Sequence, residues 1–288
     1  MSTIAIIGPG AVGGVVAGWL TQRGGHTLTL CARRAVNETT VELSSGPVKL
    51  ASAVLTVPAQ GRPVDWVLVT TKAYDAVGAA AWFPTLIGPA TRVAILQNGV
   101  EHRERFTPWL AAEQILPVMV DIPSERPGPG RIVQRGPGKM AVPAGDAGGR
   151  FAELFAGTAL AVTVTADFKS AVWRKLCLNA PGAINALLLK PTGVFHEEAA
   201  GWLALEMIRE CMAVGRAEGA MLEDALAEQL LAGFRAAPRD GINSLHADRL
   251  AGRPMEVDAR NGAIVRFGRK HGVPTPRNEM AAILLAAM

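Results

Sequence analysis

A glycine-rich turn near the N-terminus carries the sharpest chemical signal in this sequence. It follows an apolar, β-rich run and reads Gly8-Pro9-Gly10-Ala11-Val12-Gly13. The first glycine of such a turn permits a tight bend, the second lets the backbone approach a pyrophosphate, and the third lets a helix pack closely on a strand. The helix that follows would offer free N–H groups and its positive dipole end to the phosphates. The turn therefore predicts a dinucleotide site, the plainer alternative being a glycine-rich turn without a ligand.

The end of the second predicted strand indicates which dinucleotide to expect. An NAD site commonly ends this strand with Asp or Glu, which holds the ribose 2′-hydroxyl. Here the chain reads Cys31-Ala32-Arg33-Arg34 and has no acid before Glu38. A guanidinium can bind a 2′-phosphate through charge-assisted hydrogen bonds, whereas a carboxylate would repel it. We therefore expect Arg33 to select NADP, the alternative being two solvated surface arginines.

Two loops that follow later predicted strands carry polar side chains. Lys72 follows the run 64–70, and Asn98 follows the run 92–96. Ligands of open α/β sheets lie beyond the carboxyl ends of the strands. The Lys72 ammonium could reach anionic groups of a cofactor or substrate, and the Asn98 amide could donate and accept hydrogen bonds between the two. Each residue alone is also compatible with an ordinary loop position.

A lysine and an asparagine share one face of a predicted helix in the second half of the chain. Lys175 and Asn179 are four residues apart, so their side chains project from the same side of the helix. A lysine ammonium can donate a proton to a developing alkoxide, which an arginine cannot do because its pKa is too high. Lys175 is therefore the candidate acid, although spacing alone favours an ordinary surface pair.

The last polar stretch contains Ser244, Asp248 and Glu256. Ser244, near a predicted helix start, would offer its hydroxyl and neighbouring N–H groups to a carboxylate. Glu256 is predicted just inside a helix that begins at Pro254, where its plain role would be to complement the helix dipole. The five histidines are dispersed, and the spacing of the Cys, His, Asp and Glu residues predicts no metal site.

The elements that must position these side chains fall into two kinds. The first half alternates short β-rich runs with helical segments, which is typical of a parallel sheet. We predict strands at residues 4–7, 27–30, 64–70, 92–96, 115–120 and 160–165, and helices at 11–23, 73–82, 101–112 and 149–156. Two further runs, 131–134 and 140–142, predict a hairpin appended to the sheet. The predicted class is α/β, with an N-terminal Rossmann-type doubly wound sheet.

After residue 166 the pattern changes to long Ala- and Leu-rich segments with a period near 3.6. They predict helices at 168–189, 197–219, 223–236, 255–271 and 277–287. The second half is therefore expected to be an all-helical C-terminal domain. We predict a dinucleotide-binding domain over 1–166 and a helical substrate and catalytic domain over 167–288.

Composition and charge exclude several classes of protein. Apolar residues make up 49% of the 288 and charged residues 19%, which allows a large core and excludes a disordered chain. The net charge of +4 is spread along the chain, so a nucleic-acid partner is not expected. We find no apolar run near the ~20 residues of a membrane span and no signal-peptide pattern. Three dispersed cysteines indicate a reducing compartment, so we expect a cytoplasmic protein without a membrane partner, and a homodimer stays open.

Taken together, these motifs resemble the ketopantoate reductase family over nearly the whole chain. The family pattern has a glycine turn, a basic residue after the second strand, a Thr-Lys loop and a Gln-Asn-Gly turn. It continues with a Trp-x-Lys-(three residues)-Asn helix, a Ser-(three residues)-Asp stretch and a helix start of the form Thr/Met-Glu-Ile/Val-Asp. The matching positions in this chain, in order, are Gly8 to Gly13, Arg33, Lys72, Asn98, Trp173, Lys175, Asn179, Ser244, Asp248 and Glu256.

The resemblance implies hydride transfer from NADPH to the keto carbon of 2-dehydropantoate, giving pantoate for pantothenate and coenzyme A synthesis. It implies that Lys175 donates the proton to the carbonyl oxygen. It also implies that Glu256 orients this lysine and the ligands and lies near the cofactor. By the same resemblance Asn98 would bridge substrate and cofactor, while Asn179 and Ser244 would hold the substrate's hydroxyl and carboxylate.

One position departs from the family pattern. The family commonly has a second asparagine four residues after the first, whereas this chain has Ala183. Asn185 is a candidate replacement if Pro181 and Gly182 loosen the helix. The alternatives are therefore a reductase of another branched or bulky 2-oxo acid and a non-catalytic NADP-binding redox sensor. Retention of Lys175 and Glu256 argues against the sensor, which needs only the phosphate loop.

Overall fold

The computed structural model describes residues 1–35 and 38–288, which divide by their packing into two units. The first comprises Met1–Gln97 and His102–Phe168, and the second comprises Asn98–Glu101 and Lys169–Met288. The strands of the first unit are β1 (Ser2–Ile7), β2 (His26–Cys31), β3 (Thr40–Leu43), β4 (Gly46–Lys49), β5 (Ala53–Leu55), β6 (Trp66–Val69), β7 (Arg92–Ile95), β8 (Ile115–Pro117), β9 (Met119–Asp121), β10 (Ser124–Gly128), β11 (Arg131–Gln134), β12 (Gly138–Pro143) and β13 (Leu160–Thr165).

The helices follow the same chain order. They are α1 (Ala11–Arg23), α2 (Ala76–Ala80), α3 (Phe83–Leu86), α4 (Asp146–Leu154), α5 (Phe168–Asn179), α6 (Gly182–Leu188), α7 (Glu198–Ala217), α8 (Leu226–Ala236), α9 (Ser244–Leu250), α10 (Ala263–His271) and α11 (Pro276–Ala286). Short 3₁₀ turns lie at Pro58–Gln60, Ala73–Asp75, Ala112–Gln114 and Thr192–His196. A π-helical turn at Asp258–Gly262, here called the π segment, precedes α10.

A six-stranded parallel sheet organises the first unit. Its order is β5-β2-β1-β6-β7-β8, with Ile4 opposite Leu28 on one side and Trp66 on the other. Successive side chains of β1 point to opposite faces, so Ile4 and Ile6 join one buried cluster and Ala5 and Ile7 join another. Both faces are covered, which explains the almost continuous apolar runs of these strands. The predicted α/β class and Rossmann-type sheet are confirmed.

Two smaller sheets correct the predicted hairpin. The runs 131–134 and 140–142 do not pair with each other, because β11 pairs with β10 and β3, whereas β12 pairs with β13 and β9. The four-stranded sheet has the order β10-β11-β3-β4, and its edge strands contain Pro127 and Pro47. Proline is tolerated at such edges because an edge N–H has no ladder partner. The prolines made β4 and β10 hard to recognise in the sequence.

Two further predictions in the first unit are wrong. The predicted helix at 101–112 is a series of turns over 102–109, since Pro108 has no N–H to continue a helical ladder. The predicted strand at 115–120 divides into β8 and β9, which belong to different sheets. The predicted helices near 11–23 and 149–156 correspond to α1 and α4.

The second unit contains α5 to α11, apart from the first residue of α5, and packs around apolar side chains such as Ile184, Met207 and Leu245. The single helix predicted over 168–189 is interrupted after Asn179, where Pro181 precedes α6. The helix predicted from 255 begins three residues later, as the π segment. Within residues 1–35 and 38–288, no helix is both long enough and apolar enough to cross a membrane.

Candidate active site

The glycine turn 8–13 joins β1 to α1 in the first unit. Gly8 has φ +86°, its N–H donates to the Cys31 carbonyl at 2.9 Å, and Gly10 donates to the Gly8 carbonyl at 2.6 Å. Gly10 precedes the first residue of α1, and no side chain caps this helix end. A Cβ at position 10 would meet no atom closer than 3.8 Å, so the backbone is open to a ligand at this point. These features fit a pyrophosphate held by the turn and the helix N-terminus.

Gly13 shows why the third glycine of the turn is needed. A Cβ there would lie 2.6 Å from the Gly8 carbonyl oxygen and closer still to the Thr70 hydroxyl. That hydroxyl is fixed because it donates to the carbonyls of Ile7, at 3.0 Å, and Gly8, at 2.8 Å. Only glycine therefore lets α1 approach the ends of β1 and β6. Thr70 is a supporting residue that sequence reasoning missed.

The predicted anion-binding side chains of the first unit follow β2 and β6. Arg33 lies in the bend after β2, its side chain is 88% exposed, and its guanidinium is 3.9 Å from the Asp75 carboxylate. An exposed pair at this distance contributes little to stability, so Arg33 is available to a ligand. Lys72 is half-buried and precedes the 3₁₀ turn Ala73–Asp75. Its loop is held by Gln97, whose amide donates to Thr71 Oγ1 at 3.1 Å.

In the second unit, three residues far apart in the sequence form what we call the polar cluster. The Asn98 amide donates to Glu256 Oε2 at 3.0 Å, and the Asn179 amide donates to Asn98 Oδ1 at 3.4 Å. Lys175 is half-buried and lies one helical turn before Asn179 on α5, on the same face. The structure thus brings Asn98, Asn179 and Glu256 together and places Lys175 one turn away.

The setting of Glu256 differs from the prediction. It is 3% exposed and lies in irregular chain before the π segment, rather than inside a helix begun by Pro254. The turn that follows is closed by the Gly262 N–H, which donates to the Val257 carbonyl at 3.0 Å across five residues. A single π-helical turn of this kind is frequent at functional sites. Glu256 therefore is not simply a first-turn acid that complements a helix dipole.

The loop that carries Asn98 fits closely on the π segment. Gly99 has φ +101°, and a Cβ there would lie 2.6 Å from the Ala259 carbonyl oxygen, so a side chain is excluded. Arg266 of α10 donates to both carboxylate oxygens of Glu101, at 3.1 and 2.6 Å, and also contacts Asp258. These hydrogen bonds raise the pKa of Arg266, with Glu101 as the largest cause. Two carboxylates and one guanidinium thus fix the loop that presents Asn98.

A buried amide connects the π segment to the end of α5. Asn261 is fully buried, and its Nδ2 donates to the Ala180 carbonyl at 3.1 Å and to Asn278 Oδ1 at 2.9 Å. The Asn278 amide in turn donates to Glu210 Oε2 at 2.7 Å. Because Ala180 follows Asn179 directly, this network sets the distance between Asn179 and the segment after Glu256. Sequence reasoning missed it, since its three side chains lie on the π segment, α11 and α7, which are separated in the sequence.

Ser244 is the first residue of α9, as predicted, but Asn243 supplies the cap by accepting from the His246 N–H. The Ser244 hydroxyl accepts a hydrogen bond from Arg260 Nη2 at 2.7 Å. Arg260 is 3% exposed and was not predicted as a site residue. Arg260 follows Glu256 by four residues, which is the usual spacing of an ion pair on an exposed helix face. This spacing therefore did not indicate a buried site residue.

Asn185, the candidate replacement for the asparagine that the family pattern places at position 183, has its side-chain amide engaged within the second unit. Its Oδ1 accepts from Asn243 Nδ2 at 2.9 Å, and its Nδ2 donates to the Lys190 carbonyl at 3.0 Å. Asn185 is 2% exposed, so its amide joins α6 to the start of α9. Ala183 itself is fully buried among apolar side chains.

Titration of two buried groups is strongly shifted in the first unit. Burial lowers the pKa of His102 to about 4, against the opposing effect of its hydrogen bond to the Gln97 carbonyl at 2.9 Å. Burial raises the pKa of Cys31 to about 12, so this thiol beside the glycine turn is unreactive. In the described ranges 1–35 and 38–288, no three His, Cys, Asp or Glu side chains are grouped so that they could share a metal ion.

Comparison with known proteins covers the chain from end to end. The family described as "Ketopantoate reductase PanE/ApbA" matches residues 4–147, and "Ketopantoate reductase PanE/ApbA C terminal" matches residues 167–288. A 2-dehydropantoate 2-reductase of Caulobacter vibrioides is 52% identical over 287 residues, covering 100% of this chain and 99% of the relative.

Solved structures show the same fold. A 2-dehydropantoate 2-reductase from Geobacter metallireducens superposes with a TM-score of 0.92 at 27% identity, covering 99% of both chains. A ketopantoate reductase from Staphylococcus aureus, described as dimeric, superposes with a TM-score of 0.86 at 21% identity, covering 99% of this chain and 98% of the other. With both halves of the family pattern matched and half of all residues shared with a full-length relative, this chain belongs to the ketopantoate reductase family.

Proposed function

We propose that this protein reduces 2-dehydropantoate to pantoate with NADPH, the reaction that serves pantothenate and coenzyme A synthesis. One observation carries the proposal: Asn98, Asn179 and Glu256 form a hydrogen-bonded cluster, with Lys175 one turn from Asn179. A cluster of amides, a carboxylate and an ammonium suits 2-dehydropantoate, a 2-oxo acid that offers a carbonyl, a carboxylate and a hydroxyl. The identity of the substrate is supported by the relative from Caulobacter vibrioides.

The first unit supplies the residues that would hold NADP. The glycine turn 8–13, with Gly8, Pro9, Gly10, Ala11, Val12 and Gly13, fits the pyrophosphate because its backbone is open at Gly10. The exposed Arg33 suits the 2′-phosphate, which a guanidinium can bind through two hydrogen bonds. Lys72 is the candidate for binding a further anionic group of the cofactor or the substrate. When bound, NADPH supplies the hydride.

Lys175 would donate the proton that the reduced carbonyl needs. Negative charge develops on the carbonyl oxygen as the carbonyl is reduced, and an ammonium both stabilises this charge and releases a proton to it. A guanidinium would stabilise the charge but would release its proton poorly. In this proposal Glu256 orients Lys175 and the ligands, and Asn98 contacts both the substrate and the cofactor. Asn179 and Ser244 would bind the substrate's hydroxyl and carboxylate.

The organisation of the molecule around this function is also proposed. Residues 1–166 would form the NADP domain and 167–288 the substrate domain. We further propose a homodimer, which the dimeric Staphylococcus aureus relative supports, and which sedimentation velocity would test. The three cysteines are free and buried, in keeping with a reducing, cytoplasmic location.

The proposal is tested by following NADPH oxidation with a panel of 2-oxo acids that includes 2-dehydropantoate. We expect the highest kcat/KM for 2-dehydropantoate and a clear preference for NADPH over NADH. A second candidate function, reduction of another bulky 2-oxo acid, is favoured by Ala183 and by the engaged amide of Asn185. Preference for such an acid would select this alternative, and absence of turnover with the whole panel would favour an NADP-binding sensor.

A further inference from the structure

Arg260 is a buried arginine that the proposed mechanism does not use. It lies in the π segment, and its Nη2 donates to Ser244 Oγ at 2.7 Å. Its Nε is also buried and has no hydrogen-bond partner among the residues that the structure describes. A guanidinium keeps its charge and carries five donors, so leaving donors unused in the interior is costly. This arginine therefore has an unused hydrogen-bond donor close to the exposed Ser244.

Two carboxylates lie near enough to Arg260 to stabilise its charge. Burial lowers the pKa of Arg260, and the carboxylates of Glu256 and Asp248 act in the opposite direction. Both carboxylates already have other partners, since Asn98 donates to Glu256 at 3.0 Å and Arg253 donates to Asp248 at 2.9 Å. A buried cation is stable only where anions or acceptors surround it. An additional anion next to Ser244 would therefore be favourable.

The hydrogen bond from Arg260 also fixes what Ser244 can do. A serine hydroxyl has one proton to donate and lone pairs that accept. Since its oxygen already accepts from Arg260, the hydroxyl proton is left to point toward a second acceptor. Ser244 is exposed, so this acceptor can come from a ligand. Arg260 thus makes Ser244 a donor and adds positive charge behind it.

We propose that Arg260 and Ser244 together form the subsite for the carboxylate of the 2-oxo acid, with Arg260 as the residue that selects an anionic substrate. The inference rests on the proposed function and adds a residue to it. Arg260 acts through the polarised hydroxyl of Ser244 and through its own charge. Substrates that keep the keto carbon but lack the carboxylate should gain nothing from it.

The test compares 3,3-dimethyl-2-oxobutanoate with its methyl ester, which has the same keto carbon but no charge. We expect the wild-type protein to prefer the acid at least tenfold in kcat/KM. Arg260→Gln should lower kcat/KM for the acid by roughly 10- to 100-fold, as for loss of a hydrogen bond to a charged group, mainly through KM. The ester should change less than about threefold. Arg269→Gln, an exposed arginine of α10, is the matched control and should leave both substrates unchanged.

Other outcomes have distinct meanings. Equal losses for acid and ester in Arg260→Gln would overturn the inference, because a purely structural arginine affects both alike. If this variant does not fold, Arg260→Lys decides, since its ammonium keeps the charge but not the planar fork. We expect it to reduce the acid-to-ester ratio several-fold, and an unchanged ratio would contradict the inference. Parallel assays with 2-dehydropantoate test the proposed function separately, and a wild-type protein that reduces no 2-oxo acid would overturn both.

Discussion

The two units present polar groups to a ligand in opposite ways. In the glycine turn of the first unit, the backbone presents the polar groups: Gly10 leaves the backbone open to a ligand, and Gly13 leaves room for the Thr70 hydroxyl and the Gly8 carbonyl. In the polar cluster of the second unit, side chains present the polar groups. The backbone serves only to bring Asn98, Asn179 and Glu256 within hydrogen-bonding distance of each other. A backbone site is damaged by adding atoms, whereas a side-chain site is damaged by removing them.

Removing one side chain from the second unit should have the largest effect. Lys175→Ala should lower kcat by about 10²–10⁴, the usual contribution of general acid catalysis, with NADPH affinity nearly unchanged. Lys175→Arg should restore little, because the reaction needs a proton donor rather than any cation. Stopped-flow turnover and NADPH fluorescence titration measure the two quantities. Lys169→Ala, an exposed lysine of the same helix, is the control, and near-normal kcat in Lys175→Arg would refute proton donation.

The next largest effect concerns pH and the first unit. The pKa of His102 is lowered to about 4, so the unfolded chain binds this proton more readily than the folded protein. The contribution of neutral His102 to the free energy of unfolding is therefore fully present above pH 6.5. As the pH falls toward 4, the free energy of unfolding decreases by about 3 kcal/mol. Urea unfolding at pH 7 and pH 4 should show this loss in the wild type and not in His102→Gln. The exposed His196→Gln should follow the wild type, and a parallel pH dependence of His102→Gln would contradict the assignment.

Adding one carbon atom to the glycine turn of the first unit should have the next largest effect. Gly13→Ala should lower the free energy of unfolding by about 1–3 kcal/mol, as in other overpacked sites, and should weaken NADPH binding. Gly149→Ala in α4 is the matched control, because its Cβ would meet no atom within 4 Å. That change should stabilise the protein slightly, by about 0.4–1 kcal/mol. Unfolding in urea and NADPH titration provide the measurements. If Gly13→Ala changed neither the free energy of unfolding nor the NADPH affinity, the contrast between the two units would be contradicted.

The smallest effect is on cofactor choice. Arg33→Asp should weaken NADPH roughly tenfold to a hundredfold and change NADH much less, since only NADPH carries the 2′-phosphate. Arg34→Asp alters the net charge equally and separates long-range charge from direct contact. Equilibrium titration of both dinucleotides gives the comparison. Equal weakening of NADPH and NADH would mean that Arg33 does not contact the 2′-phosphate.

The same contrast explains which parts of the molecule were predictable. The glycine turn and α1 could be predicted because a strand, a bend and a helix follow each other within some twenty residues. Lys175 and Asn179 could be paired because helical spacing is local. By contrast, β4 was not recognised, because Pro47 weakens its β-rich pattern, although its partner β3 directly precedes it in the chain.

The candidate site was predictable only in its residue types. The Asn98–Glu256 contact joins positions 158 residues apart, and no spacing rule reaches that far. The motif order of a known family identified both residues, but it gave no reason to consider Arg260. Arg260 follows Glu256 by four residues, the spacing of an ordinary helical ion pair, whereas in the structure both residues are buried and Arg260 lies in the π segment.

The π segment also constrains how this site could change over evolution. A π-helical turn contains one residue more than an α-helical one, and each residue of a helix turns the chain by about 100°. Losing one residue between Val257 and Gly262 would let an ordinary helix form and would rotate Glu256 away from Asn98. Substitutions can replace the side chains of the polar cluster one by one without this cost. The spacing between Glu256 and α10 should therefore resist insertions and deletions more strongly than the side chains themselves resist replacement.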